Sequence, residues 1–343
     1  MIVAVSGIND TDNPGPGIGV ARSLKESDAS IKTVGLSYDV QDPGNYMDFV
    51  IDKSYLLTYP SRGWEPIYSR LLYIKGTYGL DAVIPTLDAE LPQYIKYQDE
   101  LAAAGIKTFL PNSKQFELRS KENLKEVSET IGIVYPRTKK VYNIDQLTEA
   151  VKEIGTPCIV KGNYYKAYKA GSVPEAVYYF TEISNEWGFP ILVQEIVKGE
   201  EMNVIGAGDG EGGVLGLVAI KKMTTTSLGK IWNGVTIKHE RLLSVAESFV
   251  KSYKWRGPFE LECIVDGDNI IMIEINPRFP AWVYFATGAG INLPKRLLDT
   301  MFGKECDRDG EYEAGVMMVR YTYEIVTNIH RLSTLATKGE SDG

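Results

Sequence analysis

The chain has 343 residues, 44% of them apolar and 24% charged, the profile of a soluble globular protein with material for two or three domains. Its 37 basic and 45 acidic residues leave a net charge of −8, which argues against non-specific nucleic-acid binding. Cys158, Cys263 and Cys306 stand far apart without metal-ligand spacing, the apolar start Met1 to Val5 is too short for a signal peptide, and no stretch approaches a membrane span. A cytoplasmic protein with reduced thiols and no membrane partner is expected.

The first run, IVAVSG, reads as a buried strand, followed by the glycine-rich stretch Pro14 to Arg22 leading into a helix. The spacing is not G-x-G-x-x-G, and two prolines stiffen the loop, so a structural or substrate-facing loop is favoured over a dinucleotide site. Strands at Lys32 to Ser37 and Asp81 to Pro85, with a helix over Trp64 to Gly76, give a β-α-β alternation and a small open α/β domain. At the carboxyl end of the third strand lie Asp88 and Glu90. They either cap the following helix, expected to run to about Ala104, or serve a ligand crevice.

From Asn112 the character shifts to an amphipathic helix and an extended proline segment. Pro157 to Gly162 is then a buried strand ending in Lys161. A lysine closing an apolar strand needs an anion or a route to water. Asn163 to Ser172 follows, rich in lysine and tyrosine. Ile191 to Glu201 reads as a strand and an acidic turn before another strand, Met202 to Gly206. Beyond a strand at Val214 to Ile220 come Lys221 and Lys222, which alternation sends to opposite faces, and a loop of hydroxyls, lysines and glycines reaching Gly234.

After a helix over Arg241 to Lys254, the stretch GPFELECIVDGDNIIMIEINPR from Gly257 to Arg278 reads as an apolar hairpin carrying acid, amide and base. Glu260 and Glu262 share one face of its first strand, and Met272, Glu274 and Asn276 share one face of its second. A two-residue loop would pair Glu262 with Ile273. A three-residue loop, Gly267 to Asn269, sets Glu262 opposite Glu274 and Glu260 opposite Asn276, and that register is expected. The carboxylates are then either solvated on a surface hairpin or held together by a cation, for which Mg2+ is best suited. Arg278 adds a guanidinium for phosphate. The only histidines, His239 and His330, lie far apart, so histidine general-base catalysis is not expected. A closing strand at Gly315 to Tyr323 precedes a polar end.

The sequence E-x-N-P-R at Glu274 to Arg278, with Glu262 twelve positions before it, resembles the ATP-grasp superfamily, especially members similar to the carbamoyl-phosphate synthase large chain and biotin carboxylase. The resemblance implies a mixed α/β and α+β ATP-grasp fold: an open α/β pre-ATP-grasp domain at 1–112, a lid lobe at 113–198, a catalytic and metal-binding lobe at 199–330, and a flexible tail at 331–343. It implies Mg2+, with Mn2+ as an alternative, on Glu262, Glu274 and Asn276, and Arg278 as a phosphate or transition-state contact. Lys121 corresponds to the first nucleotide lysine, and Lys161 to the one on the α and β phosphates. Backbone at Glu195, Ile196 and Val197 would read the adenine edge, Gln194 or Glu195 its amino group, and Glu201 would lie near the ribose. One of Lys221 and Lys222 would reach the γ phosphate or an acyl phosphate.

The implied reaction is activation of a carboxylate by ATP as an acyl phosphate, then attack by an amine, in an enzyme that could be a homodimer. Alternatives are a bicarbonate-using carboxylase or carbamoyl-phosphate-type enzyme, and an ATP-binding module with little turnover. Two departures stand out. The segment Asn163 to Ser172 lacks the glycine- and serine-rich flap of relatives, and Pro280 to Phe285 is bulkier than the small residues that usually follow the arginine, which would shape the acceptor side.

Overall fold

The computed structural model describes residues 1–343 apart from 12, 164–165, 227–228 and 309. The chain divides into two compact units, one of residues 1–116, 203–261 and 276–343, the other of residues 117–202 and 262–275.

In the first unit the three expected strands join two unexpected ones, Lys53–Leu56 and Glu340–Asp342, in a five-stranded sheet in the order Glu340–Asp342, Lys53–Leu56, Lys32–Ser37, Ile2–Ser6, Ala82–Ile84. The last four are parallel, with Ser6 opposite Leu36 and Val5 opposite Ile84, so their carboxyl ends open at one edge. Near-continuous burial along Ile2–Ser6 fits a central parallel strand covered on both faces. The glycines of Pro14 to Gly19 serve close backbone packing. A Cβ at Gly17 would stand 2.1 Å from the Ser6 carbonyl oxygen, and the Gly17 N–H donates to Gly7 O at 2.9 Å.

The carboxyl end of the chain departs from expectation. Residues expected to be a flexible tail form the helix Ile329–Lys338 and the strand Glu340–Asp342, which pairs antiparallel with Lys53–Leu56. Fully buried Leu335 anchors that helix, and the strand satisfies backbone groups that a sheet edge would otherwise expose. The helix expected up to Ala104 is two, Leu91–Lys96 and Gln98–Ala103, and the closing strand is only Met317–Val319.

A six-stranded sheet runs in the order Asn269–Asn276, Arg256–Asp266, Glu200–Asp209, Val214–Thr225, Ile231–Ile237, Met317–Val319. The hairpin loop is two residues, Gly267 and Asp268, rather than three. Gly267 has φ +58, which suits the first position of a tight turn. His239 caps the helix Glu240–Tyr253, its Nδ1 accepting from Leu242 N at 3.2 Å.

The second unit carries an antiparallel sheet in the order Thr138–Val141, Ile191–Glu195, Cys158–Gly162, Ala167–Ala170. The helices Ile144–Ile154 and Val173–Trp187, capped by Asn143 and Ser172, supply Leu147, Val151, Phe180 and Ile183 to its core. The helix read from Asn112 onward is broken: Ser113–Glu117 and Leu124–Thr130 are separated by turns that carry Lys121. Among the described residues no helix is long and apolar enough to cross a membrane.

Candidate functional site

In the second unit, alternation along Cys158–Gly162 buries Lys161 to 4% exposure, and its ammonium donates to Gln194 Oε1 at 2.8 Å on the neighbouring strand. Gln194 Nε2 donates in turn to Thr138 Oγ1 at 2.7 Å, so three adjacent strands fix the lysine. Burial and the nearby Lys121 charge lower the Lys161 pKa to about 7, against the pull of Glu274. Lys121 donates to Gly162 O at 3.0 Å and is likewise lowered by burial, with Glu274 opposing. One buried and one half-buried ammonium group around one carboxylate leave a surplus of positive charge that an anion would relieve.

Gln194 and Glu195, expected near the adenine, both make side-chain contacts within this unit. The Gln194 amide is committed to Lys161 and Thr138, and the Glu195 carboxylate takes Arg137 N at 2.8 Å and Arg137 Nε at 2.7 Å. Ile196 and Val197 lie past the strand end, exposed and half-buried, and Glu201 is exposed at the start of the next strand. Gly199, in the acidic turn, has φ +142, and a Cβ there would meet Val265 O at 2.5 Å. In the lysine- and tyrosine-rich segment, Lys166 pairs with Glu186 and Tyr168 stacks on Tyr179. Tyr164 and Tyr165 lie outside the described residues.

Glu262 and Glu274 are both half-buried on the hairpin. Among the described residues no group of three or more His, Cys, Asp or Glu side chains could hold a metal. Glu262 and Glu274 are two carboxylates of the hard-oxygen kind that Mg2+ takes as ligands.

In the first unit, Glu260 is the hub. It is 4% exposed and accepts from Asn203 Nδ2 at 2.8 Å, Trp282 Nε1 at 2.7 Å and Asn276 Nδ2 at 3.0 Å. Glu260 and Asn276 thus share a face, as expected, although a two-residue turn with strict alternation would separate them. Ile270, Ile271 and Met272 are buried in succession, so both faces of the strand are covered at its start. Because Asn276 commits its nitrogen to Glu260, its oxygen is the outward atom, and Arg278 Nη2 stands 3.3 Å from it. Arg278 also donates through Nε and Nη2 to Asp88 Oδ2, at 3.0 and 2.8 Å.

Asp88 and Glu90 therefore differ in role. Glu90 makes no helix cap. Fully buried, it accepts from Ser6 Oγ, from Tyr38 OH at 2.6 Å, and from Thr86 N and Leu87 N at 2.9 and 3.0 Å, tying together the ends of the parallel strands. Burial raises its pKa despite those donors.

Lys221 and Lys222 sit half-buried on neighbouring positions of Val214–Thr225, with Lys222 Nζ 3.5 Å from Gly229 O. Lys230 feels the charges of Arg278 and Asp88 and donates to Pro14 O at 3.0 Å. Burial, Arg278 and Arg320 lower its pKa to about 8.

A family model described as an ATP-grasp in the biosynthetic pathway with Ter operon matches residues 189–324. The carbamoyl phosphate synthase large chain of Clostridium acetobutylicum is 25% identical over 260 residues, 68% of this chain and 24% of that protein. Biotin carboxylase from Campylobacter jejuni, solved as a beta-gamma-ATP complex, superposes with a TM-score of 0.70 at 16% identity, covering 92% of this chain and 74% of that one. The biotin carboxylase domain of 2-oxoglutarate carboxylase from Hydrogenobacter thermophilus, a dimer solved with MgADP, ADP and bicarbonate, gives 0.67 at 19% identity, covering 89% and 70%. This is the ATP-grasp fold. The chain spans about a quarter of the length of the curated synthase it matches.

Within the ATP-grasp fold, sequence reasoning missed two residues. Glu260 has one visible partner, Asn276, but Asn203 and Trp282 reach it from 57 and 22 residues away. Lys230 sits in a loop whose composition reads as plain solvated connection, and only its burial marks it.

Proposed function

We propose that the chain is an ATP-dependent ligase that joins a carboxylate to an amine, releasing ADP and phosphate. The observation that carries this reading is the pair of buried Lys161 and half-buried Lys121 beside Glu274. Both lysines sit where burial disfavours their charge, and a polyphosphate would restore it.

In the proposed reaction a substrate carboxylate oxygen attacks the γ phosphorus, the bond to the ADP oxygen breaks, and an acyl phosphate forms. The amine nitrogen then attacks the acyl carbon, the C–O bond to phosphate breaks, and the amine loses a proton as phosphate leaves. Phosphoryl transfer demands positioning and charge neutralisation rather than covalent help from the protein. Lys121 and Lys161 take the α and β phosphates, with Gln194 holding Lys161. Arg278, oriented by Asp88, takes charge on the transferred phosphoryl group, and one of Lys221 and Lys222 assists there. Backbone at Glu195 to Val197 takes the adenine edge, and Glu201 the ribose side. Glu262, Glu274 and Asn276 hold Mg2+, or Mn2+, whose charge neutralises the phosphates when bound. A homodimer in the cytoplasm is the assembly we favour, by analogy with the dimeric biotin carboxylase domain.

The test measures ADP release with pools of carboxylates, using hydroxylamine to trap acyl phosphate as hydroxamate. Carboxylate-dependent ADP release with hydroxamate, lost in Lys161→Met and Glu274→Gln, is the expected result. Bicarbonate-dependent turnover would assign a carboxylase instead, and MgATP binding without ADP release across the pool would assign a binding module.

A further inference from the structure

The first unit holds a cavity of about 560 Å3, within the size range of small-molecule sites, lined in part by the stretch after Arg278 expected to shape the acceptor side. The glycine-rich loop forms one side of it, Ala281 to Phe285 another, and the segment after Met317–Val319 a third. Its wall is aromatic, with Tyr46, Phe49, Trp232, Phe285, Tyr321 and Tyr323 among the lining residues. Three of these are conspicuously solvated: Phe49 is 67% exposed, Tyr321 76% and Tyr323 70%. Large aromatic surface clustered at the rim of a cavity is what a flat apolar ligand would cover.

The charged lining residues are Asp10, Arg22 and Arg320. Arg22 is engaged, its guanidinium 3.6 Å over the Tyr284 ring and its Nε 3.2 Å from Glu26. Arg320 and Asp10 are not well satisfied by each other. They stand 3.7 Å apart, an ion pair beyond hydrogen-bond length. Arg320 gives one donor to Ala281 O at 3.2 Å, while its buried Nε has no hydrogen-bond partner among the described residues. Burial lowers the Arg320 pKa and raises that of Asp10, so each charge is under-compensated.

A plain aryl carboxylate would satisfy Arg320 but face Asp10, and a plain amine would do the reverse. A zwitterion satisfies both. We propose that this cavity binds an α-amino acid with a large aromatic side chain, its carboxylate on Arg320, its ammonium on Asp10 and its ring against the aromatic wall. The cavity adjoins the site already described: Trp282, which lines it, donates to Glu260, and Arg320 is one of the charges felt by Lys230. That the amino acid is the amine acceptor rests on the ligase reading; that it binds does not.

The test is calorimetric titration of the full chain, without nucleotide, using L-phenylalanine, 3-phenylpropionate and 2-phenylethylamine. The expected result is saturable binding of L-phenylalanine, with each analogue at least about tenfold weaker. Arg320→Gln should erase the preference over 2-phenylethylamine. Phe49→Ala, at an exposed position that the fold tolerates, should weaken all three ligands alike. Absence of L-phenylalanine binding to the folded protein, equal binding of 3-phenylpropionate, or an unchanged preference in Arg320→Gln would overturn the assignment. MgATP binding is measured on the same samples. If MgATP binds and L-phenylalanine does not, the cavity assignment falls and the ligase reading stands; the opposite pattern supports the cavity and removes the ligase reading.

Discussion

Gln194 Oε1 accepts the Lys161 ammonium at 2.8 Å where both side chains are only 4% exposed. A hydrogen bond to a buried charge is worth about 1.5–3 kcal/mol, and removing its acceptor leaves the charge with only distant compensation. Gln194→Leu should therefore weaken ATP binding by roughly tenfold or more while the second unit stays folded, as read by calorimetric titration beside a circular-dichroism melt. Unchanged affinity would mean that Gln194 does not position this lysine.

The same lysine gives a pH signature. Its folded pKa of about 7 lies below the ordinary value of 10.5, so the folded state binds fewer protons than the unfolded chain between those limits. Stability from this group therefore rises as pH climbs from 7 towards 10.5, and below 7 the full penalty of the buried charge is present. Lys161→Met removes both penalty and slope. In melts without nucleotide the variant should be more stable than the parent at pH 6, with the gap closing as pH rises.

Arg278 Nε and Nη2 both donate to Asp88 Oδ2, and the pair is largely buried, with 16% and 24% of the side chains exposed. A guanidinium held through two of its nitrogens is aimed as well as neutralised. Asp88→Asn should lower turnover at saturating ATP by about tenfold with little change in nucleotide KM, because a mis-aimed Arg278 affects the transferred group rather than the adenosine. Arg278→Lys should behave similarly, since a point charge cannot reproduce the fork. Steady-state ADP release separates kcat from KM.

How far the sequence discloses this site depends on how local the cause is. Lys161 is legible because burial and alternation act within one strand, and the E-x-N-P-R run carries its own chemistry. The hairpin loop is less so. Gly267-Asp268 and Gly267-Asp268-Asn269 are both sound turns, and the contact of Glu260 with Asn276 does not follow from the shorter one under strict alternation. The C-terminal helix and strand depend on an open sheet edge at Lys53–Leu56, which the polar end itself does not reveal. Glu90 looks like a cap by position, yet its four donors come from Ser6, Tyr38, Thr86 and Leu87, assembled only when the parallel strands align.

Glu90 itself carries a prediction. Burial raises its pKa, so stability from this group is present below the ordinary carboxyl range and is lost as pH rises through the folded value. Glu90→Gln keeps an acceptor for the strand ends and abolishes the titration. The stability of the variant relative to the parent should increase with pH, measured by denaturant unfolding from pH 4.5 to 8. Glu90→Ala should instead destabilise at every pH, by about 1–3 kcal/mol, because the donors of Ser6 and Tyr38 lose their acceptor in a buried site.

Lys230 Nζ is held 3.0 Å from Pro14 O, with its pKa lowered to about 8 by burial and by the Arg278 and Arg320 charges. An anion bound among these three cations would reverse the electrostatic part of that shift and draw a proton onto the amine. Near pH 8.5, anion binding should accordingly take up a fraction of a proton. Below about pH 7, where Lys230 is already charged, the uptake should vanish. Calorimetric titration with sulfate, which does not itself titrate in this range, in buffers of different ionisation enthalpy reads the uptake directly as the slope of apparent heat against buffer enthalpy. Lys230→Met should bind the anion more weakly and show no such slope at pH 8.5, whereas a slope that survives the substitution would place the titrating group elsewhere, with Lys161 as the next residue to replace.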